Sequence, residues 1–313
     1  MHSRCPLFFR IPILPVPRSS TGLMPRTGQG IIMAANNRFR RLIGGDYRIG
    51  LGGEGVLRTE GRTKEALEML SAAYEAGIRY YDSAPAYAGS ERYYGTFWAQ
   101  HSEWKDLTFQ TSKSAQRTAG EASEDLNRTL TRMGRDHLGL WQIHDIRDTV
   151  DIREIEGRSG ALGAFYNARE TGTVGGIGVT GHHDPSFLLH AVTHWDIDSV
   201  LLPVNPVESA IGGFIDRVIP AARERDVGVI GMKTMGAGMY IQPEAGLSAE
   251  NLIRFALAQD VDMIIVGCST ADEARFLAGM NGGISPMKQD EQDVIIETIR
   301  PYANRLAYYR GVI

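Results

Sequence analysis

From residue 48 onward, short apolar runs alternate with stretches in which apolar residues recur every three or four positions. Residues 48–53 are an apolar run ending in glycines. In 63–76, Ala66, Leu67, Leu70, Ala73 and Tyr74 fall on one helical face. Thr63 is placed to cap that helix and Gly77 to end it. The strand–helix pairing repeats at 78–84 and 90–100, 107–113 and 120–133, 137–144 and 161–171, and 174–180 and 186–193. It continues at 199–204 and 214–225, 227–233 and 249–259, and 263–268 and 272–280. Most of these strands are continuously apolar, as a parallel sheet covered on both faces requires. Eight units over about 250 residues predict a single α/β domain, a (β/α)8 TIM barrel. An open doubly wound sheet would carry G-x-G-x-x-G between an early strand and a helix; the glycines occur within 50–55 and 175–181, but in neither does that spacing lead directly into a helix. Before the barrel, 40–47 with Gly44-Gly45 as its turn predicts a short N-terminal hairpin. After it, 291–300 predicts an extra C-terminal helix.

Composition narrows the function without choosing it. Of 313 residues 43% are hydrophobic and 22% charged, and the net charge is −4, which gives no field drawing the chain to nucleic acid or an anionic membrane. Apolar runs fall short of the roughly 20 residues that span a bilayer, and Cys5 and Cys268 are too few for a disulfide framework or zinc cluster. A cytoplasmic protein is expected. The start of the chain differs from the rest. Its first acidic residue is Asp46, while Arg4, Arg10, Arg18 and Arg26 recur among five prolines between Pro6 and Pro25. An acid-free, Arg- and Ser-containing start can read as an organellar transit peptide, but its prolines oppose an amphipathic helix; residues 1–36 are expected instead to be a disordered extension or a misassigned start, with Met33 as the true one and 37–313 as the barrel.

Chemistry concentrates at the predicted strand ends, where barrel active sites are built. Asp82 and Tyr87 follow strand 2, Lys113 follows strand 3 and His144 follows strand 4. A tyrosine with a pKa near 10 is a sluggish acid at neutrality, and a neighbouring ammonium lowers that value. Asp82 is expected to hold Lys113 charged beside Tyr87, and His144 to donate a hydrogen bond to a carbonyl oxygen. Such a set protonates an alkoxide as hydride reaches carbon. Lys113 or Lys233 acting instead as a Schiff-base nucleophile, as in barrel aldolases, is the competing enzymatic reading. The histidines of His182-His183-Asp184 are metal-capable, but a strand-end role beside a cofactor is simpler and no metal is expected. His190 and His194 read as helix surface, and Cys268 as packing.

The set Asp82-x-Ala84-x-x-Tyr87, Lys113, His144 resembles the catalytic tetrad of the aldo-keto reductases. Gly89-Ser90-Glu91 followed by Gly95, the strand 176–179, Gly231-Met232-Lys233 and the run 266–270 are similar to later segments of that family, so the resemblance covers roughly residues 40–278. It implies oxidoreduction of an aldehyde, ketone or sugar carbonyl with NADP or NAD held on the barrel top. The cofactor contacts it implies are Thr180, Gly181, His182, Asn205, Met232, Lys233, Gly267, Ser269, Thr270 and Glu273. The chain departs from the family where strand 5 usually ends in Ser-Asn: here it reads Thr180-Gly181-His182, and Asn205 or His182 is expected to supply the missing amide contact. Met232 stands near the usual stacking aromatic. A strand 5 of this type also occurs in relatives with an iron–sulfur segment, but no cysteine cluster accompanies it here. Asp272 and Glu273 stand where NADPH-specific members commonly place an arginine, which tilts the expectation slightly towards NAD. A cofactor-binding regulatory subunit with little turnover is the non-enzymatic alternative. No macromolecular partner is expected beyond the small carbonyl or sugar substrate.

Overall fold

A computed structural model describes residues 37–311; Cys5, Met33 and the expected extension over 1–36 lie outside the described residues. Eight parallel strands close into a barrel in sequence order: β1 Ile49–Gly55, β2 Tyr80–Tyr81, β3 Phe109–Ser114, β4 Leu138–Ile143, β5 Val174–Thr180, β6 Ser199–Pro203, β7 Gly228–Met232 and β8 Met263–Cys268. Register places Lys113 of β3 beside Gln142 of β4, so the last residues of both strands reach the same end of the barrel. The helix Thr63–Glu75 begins without a side-chain cap, Arg62 taking the capping position, so Thr63 is its first residue rather than its cap. No helix among the described residues is long and apolar enough to cross a membrane.

The expected N-terminal hairpin is a helix, Arg38–Ile43. Phe39, Leu42 and Ile43 form a stripe at helical spacing, the Asn37 side chain accepts from the Arg40 N–H at 2.9 Å, and Gly44 at φ +65° ends the helix. A left-handed glycine cap and a hairpin turn use the same residues, which is why the sequence pattern misled. The helix closes the N-terminal end of the barrel. Phe39 is fully buried and meets Tyr80 and Phe109 edge-on, with ring centroids 6.3 and 6.5 Å apart. Buried Asp262 anchors it, accepting from Asn37 Nδ2 at 2.9 Å, Arg40 Nε at 3.3 Å and Arg223 Nη1 at 2.6 Å.

At the other end, the extra C-terminal helix is present as Gln289–Ile299, and the chain after it runs back over the barrel mouth. Tyr309 and Arg310 dock on Glu208: the Tyr309 hydroxyl donates to Glu208 Oε1 at 2.7 Å, and Arg310 pairs with the same carboxylate. Tyr240 donates to the Leu306 carbonyl at 2.9 Å. A second apolar cluster of Val207, Leu252, Phe255, Ile295 and Ile299 lies beneath this tail. The open part of the mouth is thereby confined to the β7–β8–β1–β2 side.

Candidate active site

The four residues placed at the ends of strands 2, 3 and 4 converge. Lys113 Nζ lies 2.6 and 2.7 Å from the two Asp82 oxygens and 2.8 Å from the Ser83 carbonyl, with both side chains essentially fully buried. Thr111 Oγ1 donates to Asp82 Oδ1 at 3.0 Å. The Lys113 ammonium also sits 4.7 Å from the centroid of the half-buried Tyr87 ring, and His144 meets that ring edge-on with centroids 5.7 Å apart. Burial alone would depress the Lys113 pKa, but attraction to Asp82 and Tyr87 outweighs it and holds the group above its ordinary value. For Tyr87 the balance runs opposite to the sequence expectation. Burial raises its pKa, and Lys113 opposes that only in part through its charge and hydrogen bonding, so the phenol keeps its proton. Burial, reinforced by Lys113, pushes His144 down to about 3, leaving a neutral ring.

The turn bearing Tyr87 is fixed from behind. Buried Glu91 accepts from Ser112 at 3.1 Å, Thr129 at 2.7 Å and Arg132 at 3.1 Å, while Ser83 and Ser90 share a 2.8 Å hydrogen bond. A Cβ on Gly95 would stand 2.0 Å from the Arg132 carbonyl, so the segment Ser90-Glu91 to Gly95 sets helix packing rather than ligand contact. Gly53 matters differently. A Cβ there would fall 2.3 Å from the Tyr87 ring, which is side chain and can move. Gly53→Ala is therefore expected to leave the melting temperature within a few degrees while cutting turnover at least about tenfold, because a misplacement of about 1 Å is costly in catalysis. Parallel melts and rate measurements check this, and an unchanged rate would refute the close packing of Gly53 against Tyr87.

A cavity of about 470 Å³ opens beside Tyr87 and Asp82 and runs along the tops of β7, β8 and β1. A depression of similar size near Thr118 and Gly160 is shallow and holds none of the four residues, so the enclosed cavity is the better ligand site. Met232, Lys233, Gly267, Ser269 and Glu273 line it, five of the ten residues expected at a cofactor. Thr270 lies just outside: its hydroxyl accepts from the Glu273 N–H at 3.2 Å and caps the helix Ala271–Gly279. Glu273 in turn accepts from the Ser269 N–H at 2.6 Å.

The expected β5 and β6 contacts face elsewhere. Thr180 and Gly181 are buried and do not line the cavity. His182 sits 2.7 Å from the Tyr309 carbonyl. The Asn205 amide donates to the Lys233 carbonyl and to the Tyr309 hydroxyl, both at 3.1 Å, and accepts from the Glu208 N–H. Its polar atoms hold the tail rather than meet the cavity. In the β7 loop Met235 and Ile241 line the cavity, while Tyr240 is buried in the second cluster and Met239 is exposed. Sequence reasoning missed Gly52, Gly53, Glu54, Arg58 and Tyr308. Arg58 places a second cation 5.4 Å from the Tyr87 ring, and Tyr308 reaches the wall only because the tail folds back. Burial pushes the Cys268 thiol up to about 12, which keeps it protonated and inert.

A closed (β/α)8 barrel with Asp, Tyr, Lys and His drawn from consecutive strand ends defines the class of protein. A match to the model of the aldo/keto reductase family spans residues 48–246, more than half of the chain, and the chain belongs to that family. It is thus an oxidoreductase of the carbonyl-directed class. No curated protein matches by sequence. Among solved structures it is similar to the holo form of the aldo-keto reductase AKR11C1 from Bacillus halodurans, with TM-score 0.66 and 16% identity over 80% of this chain and 91% of that one. It is likewise similar to an aldo/keto reductase from Brucella melitensis, with TM-score 0.64 and 18% identity over 80% and 92%. At this identity the structural likenesses carry the fold.

Proposed function

We propose that the chain transfers hydride between a nicotinamide dinucleotide and the carbonyl of an aldehyde, ketone or open-chain sugar, with Tyr87 as the proton donor. The observation that carries this reading is the buried Asp82–Lys113 pair beneath a protonated Tyr87 at the mouth of the cavity. The cavity fits a dinucleotide in its chemistry. Gly52, Gly53 and Gly267 leave the backbone bare along its length, and its far end meets Ser269 and Glu273 at the start of the helix Ala271–Gly279. Bound there, the nicotinamide supplies or accepts the hydride. Tyr87 gives its proton to the developing alkoxide, Lys113 stabilises the phenolate left behind, and neutral His144 orients the carbonyl oxygen. Protonated Lys113, held by Asp82 and Ser83, is a poor Schiff-base nucleophile, which disfavours the aldolase reading at that residue.

Glu273 favours NAD. Its carboxylate holds the Ser269 N–H, where a 2′-phosphate would meet negative charge, and Arg275 faces Asp272 at 2.9 Å. Fluorescence titration of the purified protein with NADH and NADPH, followed by an absorbance screen of aldehydes, ketones and sugars, tests both statements. NADH is expected to bind at least as tightly as NADPH. Affinity for NADPH ten times tighter would overturn the preference, and no binding of either would overturn the function.

A further inference from the structure

The carboxylate that meets the two histidines after β5 is not their neighbour in sequence. Asp184 caps the helix Pro185–His194, accepting from the Ser186 N–H at 2.8 Å. Asp145, just after β4, turns to them instead: its Oδ1 lies 3.1 Å from His182 Nε2 and 3.6 Å from His183 Nε2, and the three atoms all fall within 4.8 Å of one another. Asp145 is only 8% exposed and adopts φ +60°, a conformation uncommon outside glycine. Its other oxygen is held by Arg147, with Nε at 2.8 Å and Nη2 at 2.7 Å. Neither Asp145 Oδ1 nor His183 Nε2 has a hydrogen-bond partner, although both are buried.

Valence sharpens the point. The Tyr309 carbonyl can only accept, so His182 Nδ1, at 2.7 Å from it, carries a proton. In the neutral ring Nε2 then turns a lone pair towards the lone pairs of Asp145 Oδ1, a repulsive contact unless a cation joins them. A proton on Nε2 is the simplest cation, but Asp145 Oδ1 accepts no hydrogen bond from it. A metal ion meets the geometry better. Bonds of 2.0–2.1 Å to a tetrahedral ion place adjacent ligand atoms about 3.3 Å apart, which the 3.1 and 3.6 Å separations bracket. A backbone carbonyl on the second nitrogen of a ligating histidine is also the usual outer support of such a site.

We propose that Asp145, His182 and His183 form a binding site for a divalent first-row transition metal, zinc or ferrous iron being best matched to two imidazoles and one carboxylate. The ion would tie the β4 and β5 loops together and, through His182, fix the tail whose Tyr308 lines the cavity. The proposal does not depend on the oxidoreductase reading.

Untagged protein, stripped with chelator and dialysed, is to be titrated with Zn²⁺ by calorimetry and with Co²⁺ by visible absorption. One equivalent is expected to bind, with a melting temperature raised by Zn²⁺ and a Co²⁺ spectrum of low coordination number. His183→Ala strands no hydrogen-bond partner of its Nε2, so this variant should fold, and it should weaken binding at least about tenfold. Asp145→Asn should do the same. His190→Ala with His194→Ala serves as the control, since His190 already bonds Glu156 at 2.7 Å, and should leave binding unchanged. Absence of a stoichiometric site in the folded wild type, or undiminished binding in His183→Ala, overturns the proposal.

Discussion

Tyr87→Phe is expected to lose between about 10² and 10⁴ of the turnover number for carbonyl reduction, the range for removal of a general acid. Dinucleotide affinity and melting temperature should scarcely move. The substitution deletes one hydroxyl from a half-buried ring, and Lys113 keeps its acceptors on Asp82 and Ser83. Retention of more than a tenth of the activity would remove Tyr87 from the role of donor. The pH dependence gives a second readout. Reduction uses the protonated phenol, whose pKa is raised above the ordinary tyrosine value, so the rate should stay level through neutrality and fall only as pH rises through that raised value. Oxidation of the alcohol uses the phenolate and should climb with pH over the same range. His144, neutral above about pH 3, should add no break near 6.5. A break there in the wild type, absent from His144→Gln, would contradict the neutral ring.

Where sequence reasoning succeeded and failed has a physical pattern. Buried parallel strands read as continuous apolar runs, so seven of the strand ends, and with them Lys113 and His144, could be placed from the sequence; β2, reduced to Tyr80–Tyr81, is much shorter than the expected 78–84, and Asp82 comes directly after it. At the start of the chain the signal was degenerate, because Gly44-Gly45 suits a hairpin turn and a helix cap alike. The six-residue helix is too short for its period to stand out. On the barrel top the cavity is lined by the residues named along β7 and β8 and not by those named along β5 and β6. The difference is the tail: Tyr309 and Arg310 cover the β6 end through Asn205 and Glu208, and no periodicity in 302–310 announces that a segment 100 residues away will dock there. The same limit hid Asp145. Metal-capable groups adjacent in sequence were legible, but the carboxylate that joins them comes from another strand and is turned inward by a left-handed backbone.

Lys113→Met carries the largest expected effect on the molecule as a whole, because it acts on two links at once. Asp82 would be left as a buried carboxylate with only Thr111 at 3.0 Å, and breaking one side of a buried pair costs about 3–5 kcal/mol. Activity near neutrality should also vanish, since the phenolate formed at Tyr87 would lose its cation. A dead single variant therefore proves nothing by itself. Pairing it with Asp82→Asn removes the stranded charge and should recover much of the stability while leaving reduction at least about 10²-fold down. The order of melting temperatures expected is wild type, then the double variant, then Lys113→Met. A double variant that folds, binds dinucleotide and still reduces carbonyls at more than a tenth of the wild-type rate would mean that the pair is architectural. Tyr87 would then have to draw its stabilisation from another cation such as Arg58, 5.4 Å from its ring.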